Sequence, residues 1–485
     1  MAQLSQFVEH LLRRAGFGVS EEERERFSRY TYPIAVSVMT NYDPAEADVD
    51  DKIDSGPQYV PIGGRGFSPN LVLNDARKRW LFRMVHSPAP LQERMALLWH
   101  QHFATAHSKI SDAVGTTDAT RLMAAKPSED PGHARGQLEL FRQYALGNFR
   151  ELLVEVAKDP AMLYWLDGRL NRKGAPQENF GRELMELFTF GVEHYVETDV
   201  YAAARVFTGW NLVQTGTRGT ASAFYSFNYN AALHDTEGKE FSFPIYRSGS
   251  RQIPARSAAA GMQDGLDLIS ALASHPETAR RMARRLWTWF VSETEAPDPA
   301  FVENIAGVYL RNDTNMKPVI RAVLLSPQFT DPDRFHQRYS WPVEFVVRMF
   351  KEVGFVGSSL DTALTPLLNM GQQLLEPPDV NGWELGPGWF TTGGMLARMN
   401  FAATLTANQR IALRDAARAS RQTPETLLDF AIGRLSLPEI DPEVRNTLLD
   451  YIRAGGTWTG EDGQLAVKTA GVFHLLTGSG DYQFV

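Results

Sequence analysis

Polar residues stand where the apolar stripe of a helix should run in residues 177–210, QENFGRELMELFTFGVEHYVETDVYAAARVFTGW. The stretch reads as two amphipathic helices joined by a glycine turn. Asn179, Glu183 and Glu186 fall at i, i+4 and i+7, which is one face of a helix. Leu184, Leu187 and Phe188 supply the apolar stripe beside them. A carboxylate set against core-facing side chains must be hydrated, paired with a cation or bound to a metal ion, because an unpaired buried charge is too costly. The stretch is therefore expected to form a site, either catalytic or architectural.

Helical spacing dominates the rest of the chain. Residues 69–86 and 90–106 repeat apolar side chains every three or four positions, and 137–158 holds two such runs split at Gly147. Thr198 is placed to cap the helix that begins DVYAAARVF. Residues 211–255 break the pattern: SAFYSFNYN and KEFSFPIY alternate about HDTEG, as strands of a hairpin or small sheet do. Residues 376–394, EPPDVNGWELGPGWFTTGG, are too rich in Pro and Gly for a regular helix and read as a folded loop. Residues 43–68 read as a long acidic loop, a kind that is often functional or mobile. The expected fold is mainly α: one multi-helical body with a small β-hairpin insertion and a Pro/Gly/Trp-rich loop. Its parts are an N-terminal helical region (1–210), the β-rich insertion (211–255) and a C-terminal helical region (256–485) packed on the first.

A net charge of −8 over 485 residues argues against a nucleic-acid surface. The run Arg280, Arg281, Arg284, Arg285 reads as a solvated or ion-paired helix face. The chain has no cysteine, which excludes disulfides, thiolate metal sites and thiol catalysis. No apolar run is long enough to span a membrane. The N-terminus lacks the apolar core of a leader, so the sequence as it stands points to the cytoplasm, or to export if a leader was removed before residue 1.

Glu183 and Glu186, at i and i+3, can share a divalent metal ion or divide acid and base roles, with one keeping its proton. The pattern is similar to bundle di-metal sites, with Glu where their third position has His. His100 and His102 lie about 200° apart on a helix and cannot clamp one ion; one is expected in the core and the other facing a cleft, where His100 or His102 would complete the catalytic site with Glu183, Glu186 and the His234–Asp235 turn. His234–Asp235, in the expected hairpin turn with Lys239 close behind, can act as a general base, or His234 can join the two glutamates as a metal ligand. Arg205 is the expected cation for the carboxylate face if that face is an ion-pair network. Asn179, Arg205, Trp210, Asp379, Asn381 and Trp383 are candidate contacts for a polar small-molecule ligand. Trp383 and Trp389 either pin their loop or offer flat faces to a saccharide ring. Nucleophile-elbow, Walker and dinucleotide motifs are missing.

Four stretches together resemble a known family: HLLRRAGFG (10–18), LLWHQHFAT (97–105), GAPQENFGRELMELFTFGV (174–192) running into AARVFTGW (203–210), and EPPDVNGW (376–383). With a weaker LHD…GK…F block at 233–241, the chain resembles the DUF1800 family of bacterial proteins of unknown function. Gly181 stands where Ala is usual, and Gln177 where Asn is common. The resemblance implies a mostly helical protein and a partner from a sulfatase-like family encoded beside it in many bacteria. Many relatives carry an exported leader, and this sequence shows none. The functional expectation is a hydrolase-like enzyme with a carboxylate/histidine site, metal-dependent in one version, acting on a polar, saccharide-like substrate. Its rival is a non-catalytic binding or assembly protein with a structural Glu/Arg/His network.

Overall fold

The Pro90–His102 helix sits at the centre of the molecule, and every one of its residues is buried although six are charged or imidazole-bearing or carry amides. Such a helix survives only if its polar groups are satisfied by its neighbours. Glu93 accepts from Arg142 Nε at 2.8 Å and from the Trp80 indole at 3.1 Å, and Arg94 pairs with Glu344. The computed structural model describes residues 3–437 and 440–485. Among these residues the fold is mainly α, and strands are confined to two small antiparallel pairs. One continuous buried cluster runs from Leu4 to Tyr482.

The Gln6–Gly16 helix ends at Phe17, whose φ of 61° turns the chain away. Its Arg14 donates to the Phe290 and Val291 carbonyls at 2.8 and 2.6 Å and to the Val485 carbonyl at 2.7 Å. The first two belong to the end of a helix, where carbonyls lack intrahelical partners. Arg14 thus fixes the end of the Pro276–Leu286 helix, which closes in a π turn, Trp287–Val291.

Residues 177–210 form two helical pieces. Asn179–Glu183 runs into a π turn, Leu184–Phe188, and Glu197–Val206 follows after Gly191. The pieces approach closely at Gly181, where an added Cβ would stand 2.9 Å from the Ala203 methyl. Thr198 lies inside the first turn and does not cap it. Asp199 does so, accepting the Val196 N–H at 2.9 Å.

The β region pairs differently from its expected hairpin. Trp210–Thr215 pairs with Phe224–Tyr229, and Lys239–Glu240 with Gln252–Ile253. The first reversal is made near Gly216 and Gly219, both at positive φ, and not at HDTEG. HDTEG fails as a turn because its leading side chains are drawn inward: His234 is 1% exposed, and Asp235 is held by Arg205. The acidic loop is also tied down, since Asp50 bridges Arg83 and Lys126 at 2.7 and 2.6 Å.

Candidate functional site

The carboxylate face straddles the junction between α and π turns. Asn179 is exposed, and Glu183 and Glu186 are half-buried. Glu186 accepts the Tyr195 hydroxyl at 2.5 Å. Burial first, then the neighbouring Glu186 charge, pushes the Glu183 carboxyl up. Arg205 does not meet this face. It grips Asp235 with two bonds, at 2.7 and 3.0 Å, because it projects toward the β region. The cation that senses Glu186 is Arg281.

His234 lies in a separate polar cluster beneath the strands. Its Nδ1 is 2.8 Å from the Thr208 carbonyl and its Nε2 is 3.3 Å from Asp264. Asp264 also accepts from Lys239 at 2.6 Å and pairs with Arg256. Trp210 is packed edge-on to Phe207 and Phe227, at 5.2 and 5.3 Å, with no face free for a ligand. Glu183, Glu186 and His234 are thus not brought into one set. Among the described residues no group of three or more His, Asp or Glu side chains is arranged to hold a metal ion.

The WHQH stretch connects three elements. His100 is 1% exposed and meets Trp80 and Trp383 edge-on, at 5.7 and 5.2 Å; burial pushes its imidazole down to about 3. His102 donates Nε2–H to the Phe188 carbonyl at 3.1 Å, at the end of the first π turn. Burial, then the charges of Arg285 and Arg281, hold His102 well below the usual imidazole range. Both rings are core groups, where one had been expected in a cleft.

Between them, Gln101 clamps the Pro/Gly/Trp-rich loop. Its amide donates to the Trp383 carbonyl at 2.9 Å and accepts the Trp383 N–H at 2.8 Å, as a strand neighbour would. Gly382 has φ +87°, and a Cβ there would stand 2.5 Å from Gln101 Oε1, so the Asn-Gly-Trp turn needs its glycine. Asp379 accepts the Asn381 N–H at 2.7 Å and shapes the same turn. The Trp383 and Trp389 rings are 3% and 5% exposed, so they pin the loop and present little flat surface.

This clamp forms one wall of a cleft of about 530 Å³. Gln101, Asn381 and Trp383 line one side, and Arg281, Arg285 and Thr288 the other. The arginine run therefore splits. Arg280 turns outward to Glu277 and Glu303, as an ion-paired face should. Arg284 stands at the mouth, 4.0 Å from Glu277. Arg281 donates at 3.3 Å to the Leu187 carbonyl, one residue from the acceptor of His102. Arg285 has no hydrogen-bond or ion-pair partner among the described residues; burial first, then Arg281, pushes its guanidinium down to about 10.

Reading helix by helix missed Gln101 as a clamp and Arg281, Arg285 and Thr288 as cleft residues. One signal was available in the sequence. No acidic residue stands three or four positions from Arg285, so its own helix offers it no partner.

A family profile described as "Protein of unknown function (DUF1800)" matches residues 10–484. No curated protein and no solved structure matches the chain. No helix among the described residues is long and apolar enough to cross a membrane.

Proposed function

The chain belongs to the DUF1800 family, and from that premise we propose that it is a small-molecule binding protein whose polar ligand occupies the cleft between the WHQH helix, the Asn-Gly-Trp turn and the arginine helix. One observation carries this reading. Two of the blocks that carry the family resemblance meet at the Gln101–Trp383 clamp, which forms the cleft wall. The cleft volume is in the range of small-ligand sites, and it mixes apolar rings with a few convergent polar groups. Other polar residues singled out in the sequence are engaged elsewhere: Arg205 with Asp235, His234 with Asp264, and His100 and His102 in the core.

Filling the cleft tests the reading. Thr288 lines it and is half-buried, so Thr288→Trp should fold and occlude the space. Thermal-shift screening with monosaccharides, uronic acids, sugar phosphates and dicarboxylates is expected to find a ligand that raises the wild-type Tm but not that of Thr288→Trp. A stabilising ligand that acts equally on both proteins places binding elsewhere.

A hydrolase reading has one observation in its favour. Glu183 is pushed toward keeping its proton while Glu186 is held by Tyr195, the asymmetry an acid–base pair uses. Under it, Glu183→Gln removes turnover of a glycoside, sulfate ester or phosphate ester without changing Tm. In its metal-dependent version, Glu183→Gln also removes a stoichiometric divalent ion from the purified protein. The sulfatase-like partner implied by the resemblance stays part of the proposal, with co-purification as its test.

A further inference from the structure

We propose that the cleft recognises an oxyanion, the carboxylate, sulfate or phosphate group of a small molecule, held by Arg285 together with Arg281. The inference rests on the reading of the cleft as a ligand site and specifies its chemistry. The chain carries a net charge of −8, yet the cleft lining contains three arginines and no carboxylate. Several arginines elsewhere in the fold are ion-paired: Arg150 meets Asp313 at 2.9 Å, Arg182 meets Glu197 at 2.5 Å, and Arg334 meets Glu295 at 3.0 Å. Arg285 is half-buried in the concave wall of the cleft and has no acceptor among the described residues.

Neighbouring acids do not reach it. Glu186 acts on Arg281, and Glu277 lies nearest Arg284 and Arg280. Arg281 and Arg285 also stand at i and i+4, where like charges repel on a helix. With Glu186 acting on Arg281 and no carboxylate paired with Arg285, the two desolvated guanidiniums keep an excess of positive charge, which is a local conflict. Such conflicts concentrate where a fold serves a ligand.

The opposite wall points the same way. Gln101 has committed both amide atoms to Trp383, so its charge-neutral face is fixed and does not compete for the arginines. Guanidinium forks match the paired oxygens of carboxylates, sulfates and phosphates, and a sheltered cleft strengthens the pairing over its value in bulk water.

The test is a titration at constant ionic strength, with sodium chloride balancing sodium acetate, sulfate or phosphate, followed by Tm and by calorimetry. At least one oxyanion is expected to stabilise the wild-type protein saturably beyond chloride. Its affinity should fall tenfold or more in Arg285→Gln, and also in Arg281→Gln. Acetate alone points to a carboxylate ligand, and sulfate or phosphate alone to a tetrahedral one. Without added anion, Arg285→Gln should melt at or above the wild-type temperature, because it removes an unpaired cation. A purely architectural arginine would lower it. Equal oxyanion effects in wild type and Arg285→Gln, or no effect beyond chloride, overturn the inference. If a neutral compound binds, is lost in Thr288→Trp and is unaffected by Arg285→Gln, the oxyanion assignment falls while the cleft stands. If neither class binds, both fall.

Discussion

Burial makes His100 reluctant to carry charge, and the consequence is a measurable acid sensitivity. Its imidazole sits near 3 in the folded protein, against about 6.5 in the unfolded chain. Protons then bind the unfolded chain more readily, so stability is lost as pH falls from about 6.5 toward 3. His100→Phe removes this contribution while keeping a ring between Trp80 and Trp383. Between pH 7.5 and pH 5, urea denaturation should show wild type losing roughly 2 kcal/mol more than the variant. An equal loss in both proteins contradicts the assignment. Residue-scale chemistry was legible only in part. Glu183 and Glu186 announce themselves by standing in an apolar stripe, and Arg285 by lacking an acid within reach on its own helix. That Arg205 meets Asp235, thirty residues away, depends on how the strands fold back, which spacing along one helix does not encode.

The WHQH helix and the Asn-Gly-Trp turn form a unit whose coupling can be measured. Gly382→Ala places a methyl at a positive φ and against Gln101. It should cost about 1–3 kcal/mol by denaturant unfolding. In a Gln101→Ala background the steric part disappears and the penalty should shrink toward the backbone strain alone. A penalty unchanged by Gln101→Ala means that the two do not act through the clamp. Helices were the most readable elements, because apolar residues recur every three or four positions from Leu73 to His86 and from Pro90 to His102. The two π turns were not readable, since one residue more per turn leaves the same run of apolar side chains. Strand pairing was misread for a comparable reason. SAFYSFNYN alternates as a strand should, but its partner is the equally alternating Trp210–Thr215, and alternation alone does not choose between candidates.

Across the whole molecule, two polar assemblies have different roles. The cluster around Asp264 joins His234, Lys239 and Arg256 beneath the strands and has no wall in the cleft. Asp264→Asn leaves the fully buried Lys239 without its carboxylate, which should cost about 3–5 kcal/mol of stability. Where the variant remains folded, ligand affinity should be preserved. The mainly helical body was visible from the sequence, as was the family to which it belongs. The cleft was not visible, because its walls come from residues near 101, 285 and 383, and only tertiary packing brings them together. The most direct measurement is calorimetric binding of one cleft ligand to three proteins: wild type, Thr288→Trp and Glu183→Gln. Binding lost in Thr288→Trp and retained in Glu183→Gln is the expected result. Binding retained in Thr288→Trp and lost in Glu183→Gln would return the ligand to the carboxylate face and contradict the cleft.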